Sequence, residues 1–336
     1  MIPATRDLTD PRRALEVDDL EAGLKEPEFD RLEIPEALGP VTVVVDDHKI
    51  KRFAFTQDDH HDWHLRASPF GGRRIAHASL LGNDLVQLFT TVYAASRVVG
   101  LHTEEQLWFD SPAYLDEEVT LSGTYTEAYE RRGQGYVVME ASATGADGRS
   151  ILRHRGVEIL RTRPGDVAGR GSATPTAVDE RVTGEVADDA PGLDASCPAP
   201  GQVLPALEKT FTTEQAAVFS RIGEYVRNIH NDLDLARAAG MRVPIVQGQQ
   251  QFAAIAELLT REFGTGFLAG GWLRVKFLKT VDVHEPIRVR GVVTSVEDGR
   301  VQMQVWVRRA DGALSAAGWA SAAAPSESSV STETEQ

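Results

Sequence analysis

The segment QDDHHDWH, residues 57–64, sets Asp58, Asp59 and Asp62 among His60, His61 and His64. Carboxylates and imidazoles exchange protons near neutral pH, and they are also hard and borderline metal ligands. Three readings follow: an acid–base site, a metal site or a solvated polar turn. The metal reading is the weakest, because donors strung along one irregular loop point in different directions. The surroundings of the segment weigh on the choice between the other two. A turn containing Gly71 and Gly72 comes next, and then an apolar run from Ala78 onwards.

That pattern occurs twice, which marks an internal duplication. Phe53 precedes His64 by the interval that separates Phe219 from His230. Each histidine is followed by a Gly-containing turn and an apolar helical stretch, ASLLGNDLVQLFTTVYAASRVV in the first copy and QQQFAAIAELLTREF in the second. Asp147-Gly148 and Asp311-Gly312 then occupy matching hairpin turns between strands of alternating pattern. Each copy reads as a short strand, a polar histidine segment, an apolar helix and three or four antiparallel strands. A helix apolar on much of its circumference needs burial on several sides, and a curved antiparallel sheet provides it. The fold class is α+β. Residues 1–163 form the first repeat with a leading extension, 164–202 a Pro/Gly/Ala/Asp-rich linker, 203–324 the second repeat, and 325–336 a disordered polar tail.

Composition narrows the function classes. The chain has 336 residues, 42% of them hydrophobic and 25% charged, with a formal net charge of -15. An excess of acid disfavours nucleic acid and anionic membrane surfaces as partners, since both need a basic face. The single cysteine, Cys197, excludes an internal disulfide framework and multi-cysteine metal sites, and it fits a reducing compartment such as the cytoplasm. No stretch has the length and apolarity of a membrane span or signal segment.

The order of elements and motifs resembles the hotdog fold of the MaoC-like dehydratases and the (R)-specific enoyl-CoA hydratases, in a double-hotdog form. That family's signature runs roughly G-D-x-N-P-[IL]-H-x-D-x-x-x-A and then [IV]-x-H-G-M. The first repeat offers DDHHDWHLRASPFGGRRIAHASLL and the second IHNDLDLARAAGMRVPIVQGQQ. The resemblance implies that His64 and His230 are the motif histidines. Asp59 and Tyr225 then stand where the family carries its catalytic aspartate, and His77 and Gln247 where it carries the second histidine. Glu224 is one residue from the lost carboxylate and is a candidate displaced acid. The Asn-Pro element is His61-Asp62 in one repeat and Arg227-Asn228 in the other.

The chemistry so implied is addition or removal of water at the double bond of a 2-enoyl or 3-hydroxyacyl thioester, carried by coenzyme A or an acyl carrier, as in fatty acid metabolism. Asp59 and His64 would hold the water as the catalytic pair, and the backbone N–H groups of Ala78 and Ser79 would polarise the carbonyl. His230, Tyr225, His77 and Gln247 are secondary or vestigial. Arg73 and Arg74, and also Arg131 and Arg132, are candidate phosphate contacts. No cofactor or metal is required, and a homodimer of such chains is an allowed assembly. Two alternatives stand beside this: a hotdog thioesterase, which would release free thiol, and a catalytically silent acyl-thioester binder.

Overall fold

The structure, a computed structural model, describes residues 21–98, 100–131, 133–161, 181–220 and 227–324. Alternation makes the strands: Val119 and Leu121 are buried while Glu118, Thr120 and Ser122 between and beside them are exposed, and Ile287, Arg288 and Val289 repeat the pattern. The first repeat comprises β1 (Glu36–Val45), α1 (Asp47–Gln57), α2 (Asp62–Leu65), α3 (Leu80–Val86), β2 (Leu101–Phe109), β3 (Glu117–Arg131), β4 (Gln134–Gly145) and β5 (Ser150–Arg161). The second comprises β6 (Leu207–Thr210), α4 (Thr213–Phe219), α5 (Leu233–Ala238), α6 (Gly248–Phe263), α7 (Thr265–Leu268), β7 (Gly271–Phe277), β8 (Pro286–Glu297), β9 (Arg300–Arg309) and β10 (Leu314–Ala323).

These strands form one ten-stranded antiparallel sheet in the order β1-β3-β4-β5-β2-β7-β10-β9-β8-β6. Its two halves have the same internal order read outwards from the centre, so the duplication is also a duplication of topology. The repeats meet edge to edge where β2 pairs with β7, from Glu104 opposite Lys276 to Phe109 opposite Gly271. Across this seam the Arg274 guanidinium holds the Glu104 carboxylate at 2.8 Å, with both side chains buried. Rings of Phe53 and Phe219, the paired aromatics of the two repeats, lie 5.7 Å apart. Gly148 and Gly312 both take φ of 80°, as the two DG hairpins require.

The central helices differ. α6 is continuous and buries Phe252, Ile255, Leu258 and Leu259 against the sheet, each contributing about 1.5–3 kcal/mol. A capping box of Gln247 and Gln250 starts it. In the first repeat the long helix expected from Ala78 onwards does not form: α3 stops at Val86, and 3-10 turns follow at Gln87–Thr91 and Ala95–Arg97. Two forces break it. The Thr90 and Thr91 hydroxyls bond back to the carbonyls of Gln87 and Leu88. Lys25 of the leading extension exchanges backbone hydrogen bonds with Val92 and Ala94, which pulls that segment into a bridge.

Residues 164–180 of the expected linker and the tail 325–336 lie outside the described residues. Residues 181–202 have no helix or strand, yet they are anchored: Val182 packs with Trp306 and Ala317. Among the described residues no helix is long and apolar enough to cross a membrane.

Removing one partner of a buried ion pair leaves the other charge uncompensated. Glu104→Ala should therefore lower the unfolding free energy by about 3–5 kcal/mol, whereas replacing Glu104 and Arg274 together with apolar residues of similar volume should be near neutral. Urea denaturation of the single and double variants checks this.

Candidate functional site

Both repeats seat the motif histidine in the same way. His64 Nδ1 lies 3.1 Å from the Ile75 carbonyl oxygen, and His230 Nδ1 lies 2.8 Å from that of Ile245. Only a protonated Nδ1 donates to a carbonyl, so each neutral ring presents an unprotonated Nε2. Burial, with His77 beside it, pushes His64 down to about 3, and burial pushes His230 down to about 4, so both rings are neutral at pH 7.

In the first repeat a carboxylate accompanies the ring. Asp59 Oδ2 is 3.8 Å from His64 Nε2 and 3.6 Å from His77 Nε2, while His77 Nε2 donates to the Asp59 carbonyl oxygen at 2.9 Å. Burial alone would raise the Asp59 carboxyl. The neighbouring His77, His64, Lys209 and Arg261 outweigh it and hold Asp59 below the usual carboxylate value. The donor atoms of Asp59, His64 and His77 lie within 4.8 Å of one another. Even so, the two imidazoles stack with centroids 3.7 Å apart, so their in-plane lone pairs run side by side rather than converging on one ion. With His77 Nε2 committed to a carbonyl and two cations nearby, the set does not fit a metal.

Each site is held by the opposite repeat. The Lys209 ammonium donates to the carbonyls of Gln57 and Asp58 at the C-terminal end of α1, and pairs with Glu257 of α6 at 2.7 Å. Burial, reinforced by the Asp59 charge, pushes the Glu257 carboxyl up to about 7 against the pull of Lys209. Reciprocally, Asn83 and Gln87 from the first repeat donate to the carbonyls of Phe219 and Ser220, where α4 ends.

The two sites differ in space. Asp59, His64 and His77 are each 5% exposed or less, and the cavity beside His77 and Ala78 measures about 20 Å³, room for one water. Leu268 of α7 lines it, and Phe267 packs its ring 4.5 Å from Phe109 on the same wall. A cavity of thioester size that includes a motif histidine lies instead at the second repeat. It measures about 590 Å³ and is lined by His230, Gln247, Gly248 and Gln249 together with Val86, His102 and Glu158 of the first repeat. It extends past Val86 and Gln87 to Gly100–Thr103, where the first-repeat helix has broken off. Gly248 and Gln249 begin α6, so their N–H groups have no acceptor within the helix.

Other expected residues are placed as follows. Tyr225, Glu224 and Arg132 lie outside the described residues. Ala78 and Ser79 precede α3, with Ser79 as its N-cap, and of the two Ala78 lines the small cavity. Gln247 donates to the Ala216 carbonyl at the rim of the large one. Arg74 is engaged structurally, with Nε on the His64 carbonyl and Nη1 on Asp47, which leaves it unsuited to phosphate. Arg73 is exposed and stacks on the Tyr114 ring, and Arg131 is exposed at the end of β3. The sequence reading missed Lys209 and Glu257, which brace Asp59, and His102, Glu158, Gln249 and Gln251, which line the cavity. The run QGQQQ was a visible signal for the glutamines, whereas His102 and Glu158 come from strands of the opposite repeat and carry no motif spacing.

Residues 196–313 match the family model of the MaoC like domain. No curated protein sequence matches the chain. Among solved structures, a MaoC-like dehydratase superposes with a TM-score of 0.68 at 16% identity, covering 89% of this chain and 100% of its own. A MaoC-like dehydratase from Phytophthora capsici gives 0.63 at 14% identity, covering 90% and 100%. A Mycobacterium tuberculosis protein described as a double hotdog fold gives 0.62 at 13% identity, covering 89% and 98%. The second repeat thus carries the match to the MaoC like domain, and the whole chain has a double-hotdog fold similar to these solved structures.

Proposed function

We propose that the protein hydrates a 2-enoyl thioester, or dehydrates the 3-hydroxyacyl thioester, in the cavity of the second repeat. The observation that carries this reading is the joint lining of a 590 Å³ space by His230 and by the first residues of α6. A neutral imidazole with Nδ1 anchored on Ile245 has its Nε2 lone pair ready to take a proton from water. Hydroxide adds to the β carbon, negative charge builds on the thioester oxygen, and the N–H groups of Gly248 and Gln249 stabilise it. The proton taken up by His230 then passes to the α carbon, which closes the balance.

A second reading is favoured by one specific observation: Asp59 and His64 are the complete carboxylate–imidazole pair, and a cavity with space for a single water lies beside the neighbouring His77. It requires the first-repeat pocket to open by displacement of Leu268 and Phe267.

Turnover of enoyl-CoA thioesters separates these readings. His230→Gln should lower kcat by at least about a hundredfold, the range for loss of a general base, while Asp59→Asn should leave kcat within a few fold provided its melting temperature is unchanged. The reverse pattern moves the reaction to the first repeat. Free thiol release would identify a thioesterase, and tight binding without turnover of any thioester a silent binder.

The pH profile is a separate check. A base titrating near 4 rather than 6.5 stays active as pH falls through 6.5. The profile of kcat/KM should be flat between pH 6 and 8, and an inflection near 6.5 would contradict a neutral His230.

A further inference from the structure

Hydrocarbon tails need an apolar pocket, and the large cavity is only partly that. Val86, Ile159 and Ile245 line it. Between them stand Gln249 and Gln251, whose side chains are 5% and 2% exposed. Both the amide oxygen and the amide nitrogen of Gln249, and the amide oxygen of Gln251, have no hydrogen-bond partner. Buried amides are normally satisfied, so unpartnered ones lining a cavity mark the place of a ligand's polar atoms. The same lining includes His102, fixed by Glu105 at 3.0 Å, and Glu158, whose carboxyl burial pushes towards the protonated, uncharged form.

We infer that the acyl group accepted here carries an uncharged hydrogen-bonding substituent, a hydroxyl, on its tail beyond the carbons that react. The inference rests on the proposed thioester reading of this cavity. A hydroxyl both donates and accepts, so it satisfies a glutamine side chain whichever way the amide is turned. A plain alkyl tail would bury these amides without partners, the situation that lets a polar site reject an analogue lacking the group.

The test compares (E)-2-octenoyl-CoA with its 8-hydroxy counterpart, neither of which carries the reacting hydroxyl. With the full chain, kcat/KM should favour the hydroxylated substrate by about tenfold or more. Gln251→Leu should reduce that ratio to near one. Equal use of both substrates by the wild type, or a ratio unaffected by Gln251→Leu, overturns the inference. If the variant melts early, the wild-type ratio alone decides. Calorimetric binding of octanoyl-CoA and 8-hydroxyoctanoyl-CoA keeps the two ideas apart. Selective binding without any turnover sinks the hydration reading and upholds the hydroxyl preference, and turnover without selectivity does the opposite.

Discussion

The pairing of β2 with β7 is the constraint on which the rest of the molecule depends. By joining two five-stranded halves into one sheet, it fixes the helices of both repeats against each other and leaves neither repeat able to complete its own site. Lys209 and α6 reach across to hold the loop that carries Asp59. Asn83 and Gln87 reach back to hold the end of α4. Such cross-bracing is available only to a fused or tightly paired fold, since the braces are buried polar contacts whose loss would leave unsatisfied groups inside.

Within this shared frame the two sites have drifted in complementary directions. The first keeps the charges and has lost the room: Asp59, His64 and His77 are packed together, with α7 closing the wall. The second keeps the room and the anchored histidine. The difference traces to the central helices. Where α6 runs on and feeds into α7, Phe267 and Leu268 fill the neighbouring space. Where α3 ends at Val86, the chain turns away and a cavity remains.

The duplication and the double-hotdog architecture were readable from the sequence because both rest on local patterns: histidine spacing, DG hairpins and alternating strands. Three features were not readable. The break in the first helix depends on hydroxyl back-bonds from Thr90 and Thr91 and on a backbone bridge from Lys25, and a hydrophobic period does not register either. The narrowness of the cavity beside His77 depends on Leu268 and on Phe267 behind Phe109, distant in the chain. The polar lining of the cavity joins Gln249 and Gln251 to His102 and Glu158 from the other repeat, a union made by tertiary packing alone.

The central claim is that the thioester is held at the second repeat. A crystal structure with a non-reactive acyl-CoA analogue tests it most directly. The account requires the thioester oxygen within hydrogen-bond distance of the Gly248 or Gln249 N–H, with the acyl chain running between Val86 and Ile159. An analogue bound instead beside Asp59, His64 and Ala78, with Leu268 swung aside, would contradict it.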